Sequence, residues 1–272
     1  MDREHYLIDR LKSNYIGDDA ACVDDTLYSM DAFFEDVHFK KEWMSMSQIG
    51  RKAMLVNLSD AIAMSARPKY ALVAISMPPD MSRDDIDELL DSMVSTAGEF
   101  DCEIIGGDTI SADKLHIAIT IVSKSDNPLL RSSAKSGDMI AYTGELGESL
   151  RDLNTLLDGG SIESSSRFYE PTLRAEFIYR CREYLTAGMD ISDGLYCDTN
   201  KLLVASDIGL NVIEEIPSHI GNSGEEYEML ITFPPSHRDM IVNIADNLGM
   251  SITIFGVLED TEFRFDCHNH HD

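Results

Sequence analysis

Six acidic motifs are spread along this 272-residue chain, and their residue types and spacing suggest chemistry before any fold is considered. They read Ile16-Gly17-Asp18-Asp19-Ala20-Ala21, Ser29-Met30-Asp31, Asn57-Leu58-Ser59-Asp60, Gly106-Gly107-Asp108-Thr109, Met189-Asp190-Ile191-Ser192-Asp193-Gly194 and Gly224-Glu225-Glu226-Tyr227-Glu228. Carboxylates beside glycines and hydroxyls are hard oxygen ligands for Mg²⁺, at places where the backbone can come close. With a formal charge of −27, the chain offers almost no lysine near them. Such a site accepts a phosphorylated substrate only with divalent cations in between. The pattern therefore points to metal-dependent phosphoryl transfer.

The excess of 49 acidic over 22 basic residues argues against nucleic acid or an anionic membrane as partner, since both repel such a surface. Hydrophobic content of 43% fits a folded globular protein, and the length allows one large domain or two ordinary ones. The five cysteines (Cys22, Cys102, Cys181, Cys197 and Cys267) are odd in number and form no C-x-x-C pair, which fits free thiols in a reducing cytoplasm. The opening Met-Asp-Arg-Glu-His has no apolar signal core behind it, and no apolar run approaches the length of a membrane helix. A cytoplasmic protein is expected.

The elements that must position these motifs alternate between strand and helix. Strands are expected at Thr26–Phe34, Tyr70–Met77 and Leu115–Ser123. A helix capped by Ser47 runs to about Ala66, and another, capped by Ser82, carries Ile86, Leu89, Leu90, Met93, Val94 and Ala97 at helical spacing. The polar stretch Ser125–Ser136, with Pro128 before Gly137, reads as a boundary between domains 1–130 and 131–272. Beyond it come strands at Asp138–Thr143, Leu210–Ile213, Met229–Phe233 and Ser251–Val257. Helices are expected at Leu146–Leu157, Thr172–Tyr184, after Asp193 to about Ala205, and at Ser236–Leu248. The fold class is α/β in two domains.

Each motif also has a plain reading. Asp60 lies in an apolar helical stretch, where a buried carboxylate needs a partner or a metal; it could instead face solvent. Gly106-Gly107-Asp108 follows the strand-like Glu103-Ile104-Ile105, and is either a ligand position at a strand end or simply a turn. The run from Asp190 is not an EF-hand: its sixth position is Leu195 and its twelfth Lys201. No Walker lysine loop, G-x-G-x-x-G, H-R-D or D-F-G set is present. Cys267-His268-Asn269-His270-His271 reads as a tail and not a zinc site, because no second ligand cluster matches it.

Taken in order, Gly-Asp-Asp-Ala-Ala, Asp31 followed by Val37-His38-Phe39, Val56-Asn57-Leu58-Ser59-Asp60, Gly106-Gly107-Asp108-Thr109, Arg131, Asp190-Ile191-Ser192-Asp193-Gly194-Leu195 and Gly224-Glu225-Glu226-Tyr227-Glu228 resemble the thiamine-monophosphate kinase family, over roughly residues 14–260. That family lies within the aminoimidazole-ribonucleotide-synthetase superfamily. The resemblance implies transfer of the γ-phosphoryl group of ATP to thiamine monophosphate. It implies several Mg²⁺ ions held by Asp19, Asp31, Asp60, Asp108, Asp190 and Asp193, with Ser29 adding an oxygen. It further implies ATP contacts at Gly107, Asp108, Arg131 and Ser192, and acceptor contacts at His38 and Glu225. Asp60, Asp108, Asp193 and Arg131 would be the catalytic group. Phe263 or Phe265 could pack on the thiamine rings. The fold implied is two α/β domains, the N-terminal sheet pairing across a homodimer.

The chain departs from the family at Met30, where a hydroxyl is common, at Ser223 and Glu226 in place of glycine and aspartate, at Ser65 in place of glycine, and at Ser133 and Ser136. The stretch from Ile216 to Gly224 is also short, which suggests a more open pocket. The alternatives are another ATP-dependent member of the superfamily, such as a selenophosphate or purine-pathway synthetase, or an inactive Mg²⁺- or nucleotide-binding module. Against the selenophosphate enzyme, no reactive cysteine followed by lysine precedes Gly17.

Overall fold

The computed structural model describes residues 3–267. After α1 (Arg3–Leu11) the chain forms β1 (Ala21–Val23) and β2 (Thr26–Phe34), then α2 (Met46–Ala63), β3 (Arg67–Met77), α3 (Arg83–Glu99), β4 (Glu103–Ser111) and β5 (His116–Lys124). These five strands make one sheet in the order β1-β2-β5-β3-β4. Among neighbouring strands only β3 and β4 run parallel, joined by the crossover helix α3; α2 likewise carries the chain from β2 over β5 to β3.

In β2 and β5 every second residue faces the core. Leu27, Ser29 and Phe33 are buried opposite Ser123, Ile121 and Ile117. Asp31 shares that face, and Met30 points the other way.

The second half forms β6 (Met139–Thr143), α4 (Glu148–Leu157), α5 (Ala175–Cys181), β7 (Ala187–Asp190), α6 (Leu195–Ala205), β8 (Gly209–Val212), α7 (Ser218–Gly221), β9 (Met229–Phe233), α8 (Arg238–Asn247) and β10 (Ile252–Glu259). Its sheet, β7-β9-β6-β10-β8, is antiparallel throughout. The mixed α/β class expected from the alternation is therefore realised with mostly antiparallel sheets.

Helix α2 is the hinge of the architecture. It is apolar nearly all round, as a helix buried on every side must be, and it packs on β2 and β5, on α3, and on β7 and α5 of the second half. Its start differs from the Ser47 expected. Ser45 is the N-cap because Gln48, three residues on, closes a capping box with it at 3.2 and 2.9 Å. At the other end Ser65 sits at φ 54°, the left-handed region where glycine is at home.

The cysteine expectation is corrected. Cys197 in α6 and Cys267 are joined in a disulfide 70 residues apart, while Cys22, Cys102 and Cys181 are free. Counting parity and looking for short spacings could not find a pair this distant. The tail histidines His268, His270 and His271 lie outside the described residues. Among the described residues no helix is long and apolar enough to cross a membrane.

Candidate active site

Three of the six motifs converge where α2 meets the second half. Carboxylate oxygens of Asp19, Asp60 and Asp190 all lie within 4.8 Å of one another. Asp19 comes from the turn before β1, Asp60 from the last turn of α2, and Asp190 from the end of β7. At that spacing each pair of charges repels by roughly 3 kcal/mol at an effective dielectric of about 20. The strain appears in the acidities. Burial, then the charges of Asp31, Asp190 and Asp19, holds the Asp60 carboxyl well above the ordinary carboxylate range. Burial followed by Asp19 does the same to Asp190. Asp19 is raised by burial in spite of Arg131 beside it. Asp31 is also held high, by protein packed about its carboxyl and then by Asp19 and Asp193, although the residue as a whole is exposed.

The trio is held by neighbours that the sequence reading did not single out. Ser59 donates its hydroxyl to Asp190 Oδ2 at 2.5 Å. Asn57, fully buried, accepts from the Asp31 backbone N–H at 2.9 Å while donating to the Ala53 carbonyl at 2.8 Å. Both lie in the Asn57-Leu58-Ser59-Asp60 motif. The available signal was a pair of polar side chains beside Asp60 in the largely apolar stretch from Ala53 to Ala63.

Arg131 opens a short 3-10 turn, Arg131–Ser133, between the halves. Its guanidinium pairs with Asp19, its backbone N–H donates to Asp18 Oδ1 at 2.6 Å, and its carbonyl accepts from Ser206 at 2.6 Å. Asp193 precedes Gly194, which has φ 100° and opens α6; the Asp193 N–H donates to Asp198 Oδ2 at 3.0 Å. Lys201 pairs with both Asp193 and Asp198. The expectation of almost no lysine near the acidic motifs is thereby corrected. Lys201 is one, and Lys52, bound to Glu225 at 2.6 Å, is another. Net charge counts residues and says nothing of where the few cations are placed.

Asp108 does not join the trio. It lies inside β4, which continues through Gly106-Gly107 to Ser111, and so is not at a strand end. The register sets it beside Ala74, one residue out of step with the core-facing Val73 and Ile75, so it shares the outward face of the sheet. Gly107 is required by close approach: a Cβ there would stand 1.7 Å from the Val73 carbonyl oxygen.

Ser29 is buried on the α2 side of β2. Met30 is on the opposite face and exposed, so its departure removes no oxygen from the trio's side. His38 accepts from the Phe34 N–H at Nδ1, 3.0 Å, and its ring lies 5.7 Å from Phe33. Accepting at Nδ1 places the ring proton on Nε2.

The segment Glu225–Glu228 lies along Ile191 and Ser192, with Glu225 N–H donating to the Ser192 carbonyl at 2.7 Å and Tyr227 N–H to Ile191 at 2.9 Å. The departures at Ser223 and Glu226 answer each other. Ser223 donates to Glu226 Oε1 at 2.5 Å, and that oxygen also accepts from Gly147 N–H at 2.7 Å and Ser149 N–H at 3.2 Å, at the start of α4. The longer side chain thus serves the α4 N-terminus and lies off the trio. Near the C-terminus Phe265 stacks on Tyr196 at 4.2 Å, and Phe263 meets Phe265 edge-on at 5.0 Å. The short Ile216–Gly224 stretch holds α7, whose Gly221 packs against Tyr196.

The residues fit hard divalent cations. They are oxygen donors from three segments, too close to be ionised together unaided, and the buried Asp19 Oδ2 has no hydrogen-bond partner.

Residues 17–124 match the family model for the AIR synthase related protein N-terminal domain. Thiamine-monophosphate kinase of Bacillus subtilis is 34% identical over 90% of this chain and 85% of the relative. The chain belongs to the thiamine-monophosphate kinase family. The Aquifex aeolicus kinase is 29% identical over 87% of the chain and 86% of the relative. Among solved structures, AaThiL complexed with AMPPCP and TMP matches with a TM-score of 0.86 and 26% identity, over 97% of this chain and 91% of that one. The hydrogenase maturation protein in the HypE-HypF complex, at 17% identity and a TM-score of 0.79, shares the fold alone.

Proposed function

We propose that this chain transfers the γ-phosphoryl group of ATP directly to thiamine monophosphate, giving thiamine diphosphate and ADP. Asp19, Asp31, Asp60, Asp190 and Asp193 would hold Mg²⁺, with Ser29 nearby. The carboxylate trio carries the reading: its members are brought together from three segments and lack enough cations of their own. Bound Mg²⁺ would supply neutralisation of two anionic substrates and of the charge spread over the transferring group.

The chain's own residues do the positioning. The acceptor is a phosphate oxygen already ionised at neutral pH, so no strong base is needed. Ser59 and Asn57 hold Asp190 and the Asp31 backbone in place, and Arg131 supplies a fixed charged fork. Gly107, Asp108, Arg131 and Ser192 are assigned to the nucleotide, Asp108 from the outward face of the first sheet. His38 and Glu225 are assigned to the acceptor.

The same outward face supports a homodimer. Tyr28 and Met30 of β2 and Tyr70 and Leu72 of β3 are exposed on it, on either side of β5. Domains 1–130 and 131–272 each carry one sheet in this reading. Residence in the cytoplasm, where ATP is made, would set the Cys197–Cys267 bridge against a reducing pool.

The test is purified protein with ATP, Mg²⁺ and thiamine monophosphate, following thiamine diphosphate by thiochrome fluorescence. Product formed only with all three present supports the kinase. Binding of ATP and Mg²⁺ without product would point to the inactive-module reading. A monomer by light scattering at micromolar concentration would overturn the dimer.

A further inference from the structure

Lys52 is the one residue in the α2 stretch Lys52-Ala53-Met54-Leu55-Val56 whose burial is unfavourable by itself: its side chain is 0% exposed. An ammonium removed from water is retained only when paired, and apolar side chains in place of the whole pair would often be as stable or more so. Its surroundings suggest why it is there. Nζ donates to Glu225 Oε2 at 2.6 Å and sits 4.3 Å from the Phe168 ring centre and 5.9 Å from that of Phe33. Phe33 in turn lies against the His38 ring at 5.7 Å. One buried cation therefore stands behind both residues assigned to the acceptor.

We propose that Lys52 is a positioning residue that fixes the Glu225 carboxylate as a single-geometry hydrogen-bond acceptor for the amino group on the pyrimidine ring of the acceptor substrate. The proposal rests on the assignment of Glu225 to that substrate. Glu225 is held at two points: its backbone, at φ 54°, is tied to the Ser192 carbonyl, and its Oε2 is tied to Lys52. Oε1 has no hydrogen-bond partner among the described residues and the side chain is about a third exposed, so one oxygen is left for a ligand N–H. Lys52 also balances the charge of Glu225. A free carboxylate on a segment that lies along Ile191 and Ser192, between Asp190 and Asp193 in sequence, would compete for the same cations. Paired, it stays a recognition group and leaves the metal to the aspartates.

The experiment compares wild type, Lys52→Met, Lys52→Arg, Glu225→Gln and the Lys52→Met/Glu225→Gln double variant by steady-state kinetics, thermal melting and calorimetric titration with thiamine monophosphate. Lys52→Met should raise KM for thiamine monophosphate by about 30-fold, the weight of a charge-assisted hydrogen bond, with KM for ATP little changed. Because Glu225 is about a third exposed and is hydrated when unpaired, the melting temperature should fall only modestly, and Lys52→Arg should recover part of the KM loss. In the Glu225→Gln background, Lys52→Met should add little, as expected for residues acting as a unit.

An unchanged KM for thiamine monophosphate in Lys52→Met, an equal rise in both KM values, or a full additional effect in the double variant would overturn the proposal. Wild type that binds thiamine monophosphate without turning it over would sink the kinase reading and leave Lys52 to be judged by the titrations. Wild type that does not bind it would overturn both.

Discussion

The Ser59 hydroxyl of α2 donates to Asp190 Oδ2 at 2.5 Å, across 131 residues of sequence and across the junction of the two halves. A carboxylate at a strand end is thus aimed by a helix from the other sheet's side. Ser59→Ala is expected to weaken Mg²⁺ activation and lower kcat by about tenfold, the usual weight of a hydrogen bond that orients a metal ligand. Rates measured against MgCl₂ concentration check this; an unchanged Mg²⁺ dependence would refute it.

Asp60→Asn should separate stability from activity. The substitution removes one of the charges crowded with Asp19, Asp31 and Asp190, at little change in volume. In EDTA the variant should be more stable than wild type by about 1 kcal/mol, read as a higher melting temperature, while turnover falls by about 100-fold or more. A lower melting temperature in EDTA would mean that Asp60 is a structural carboxylate.

Asp198 gives the pH dependence its sign. Burial pushes its carboxyl up to about 6 against an ordinary 3.8, with Lys201 pulling the other way. The folded state therefore keeps a proton that the unfolded chain gives up, and the associated stability is full below 3.8 and lost as pH rises through about 6. The metal-free protein should melt higher at pH 5 than at pH 7.5, and Asp198→Asn should reduce that difference, leaving the share of the other raised carboxyls. A wild-type melting temperature that rises from pH 5 to 7.5 would contradict the assignment.

Ser65 follows α2 at φ 54°, in the left-handed region that glycine adopts most readily. Ser65→Gly should stabilise the protein by about 1 kcal/mol, the low end of the cost of a non-glycine residue in that region. Thermal melting decides it, and a destabilised variant would mean that the serine repays its strain with contacts.

What could be read in the sequence was whatever local spacing determines. β2 and β9 were legible residue for residue, β2 from the alternation of a half-buried strand and β9, buried throughout, from a short apolar run between Glu228 and Pro234. The Ser82 cap of α3 was legible for the same local reason, its partner Asp85 lying three residues on. The trio's members were visible as candidate ligands, but their grouping was not: Asp19, Asp60 and Asp190 meet only because α2 packs against both β2 and β7. Asp108 was misplaced for a related reason. Paired glycines signal a turn, yet here they let β4 run close along β3. Lys52 was hidden because an isolated lysine in a helix ordinarily faces water, and only the fold puts Phe33, Phe168 and Glu225 around it.

The Cys197–Cys267 bond makes a covalent ring of the chain from α6 to the C-terminal aromatics, taking in β8, α7, β9, α8 and β10. A protease that cuts one peptide bond inside that ring does not release a fragment. The nicked molecule stays a single covalent piece of unchanged mass apart from one added water, and parts in two only when a thiol opens the bridge.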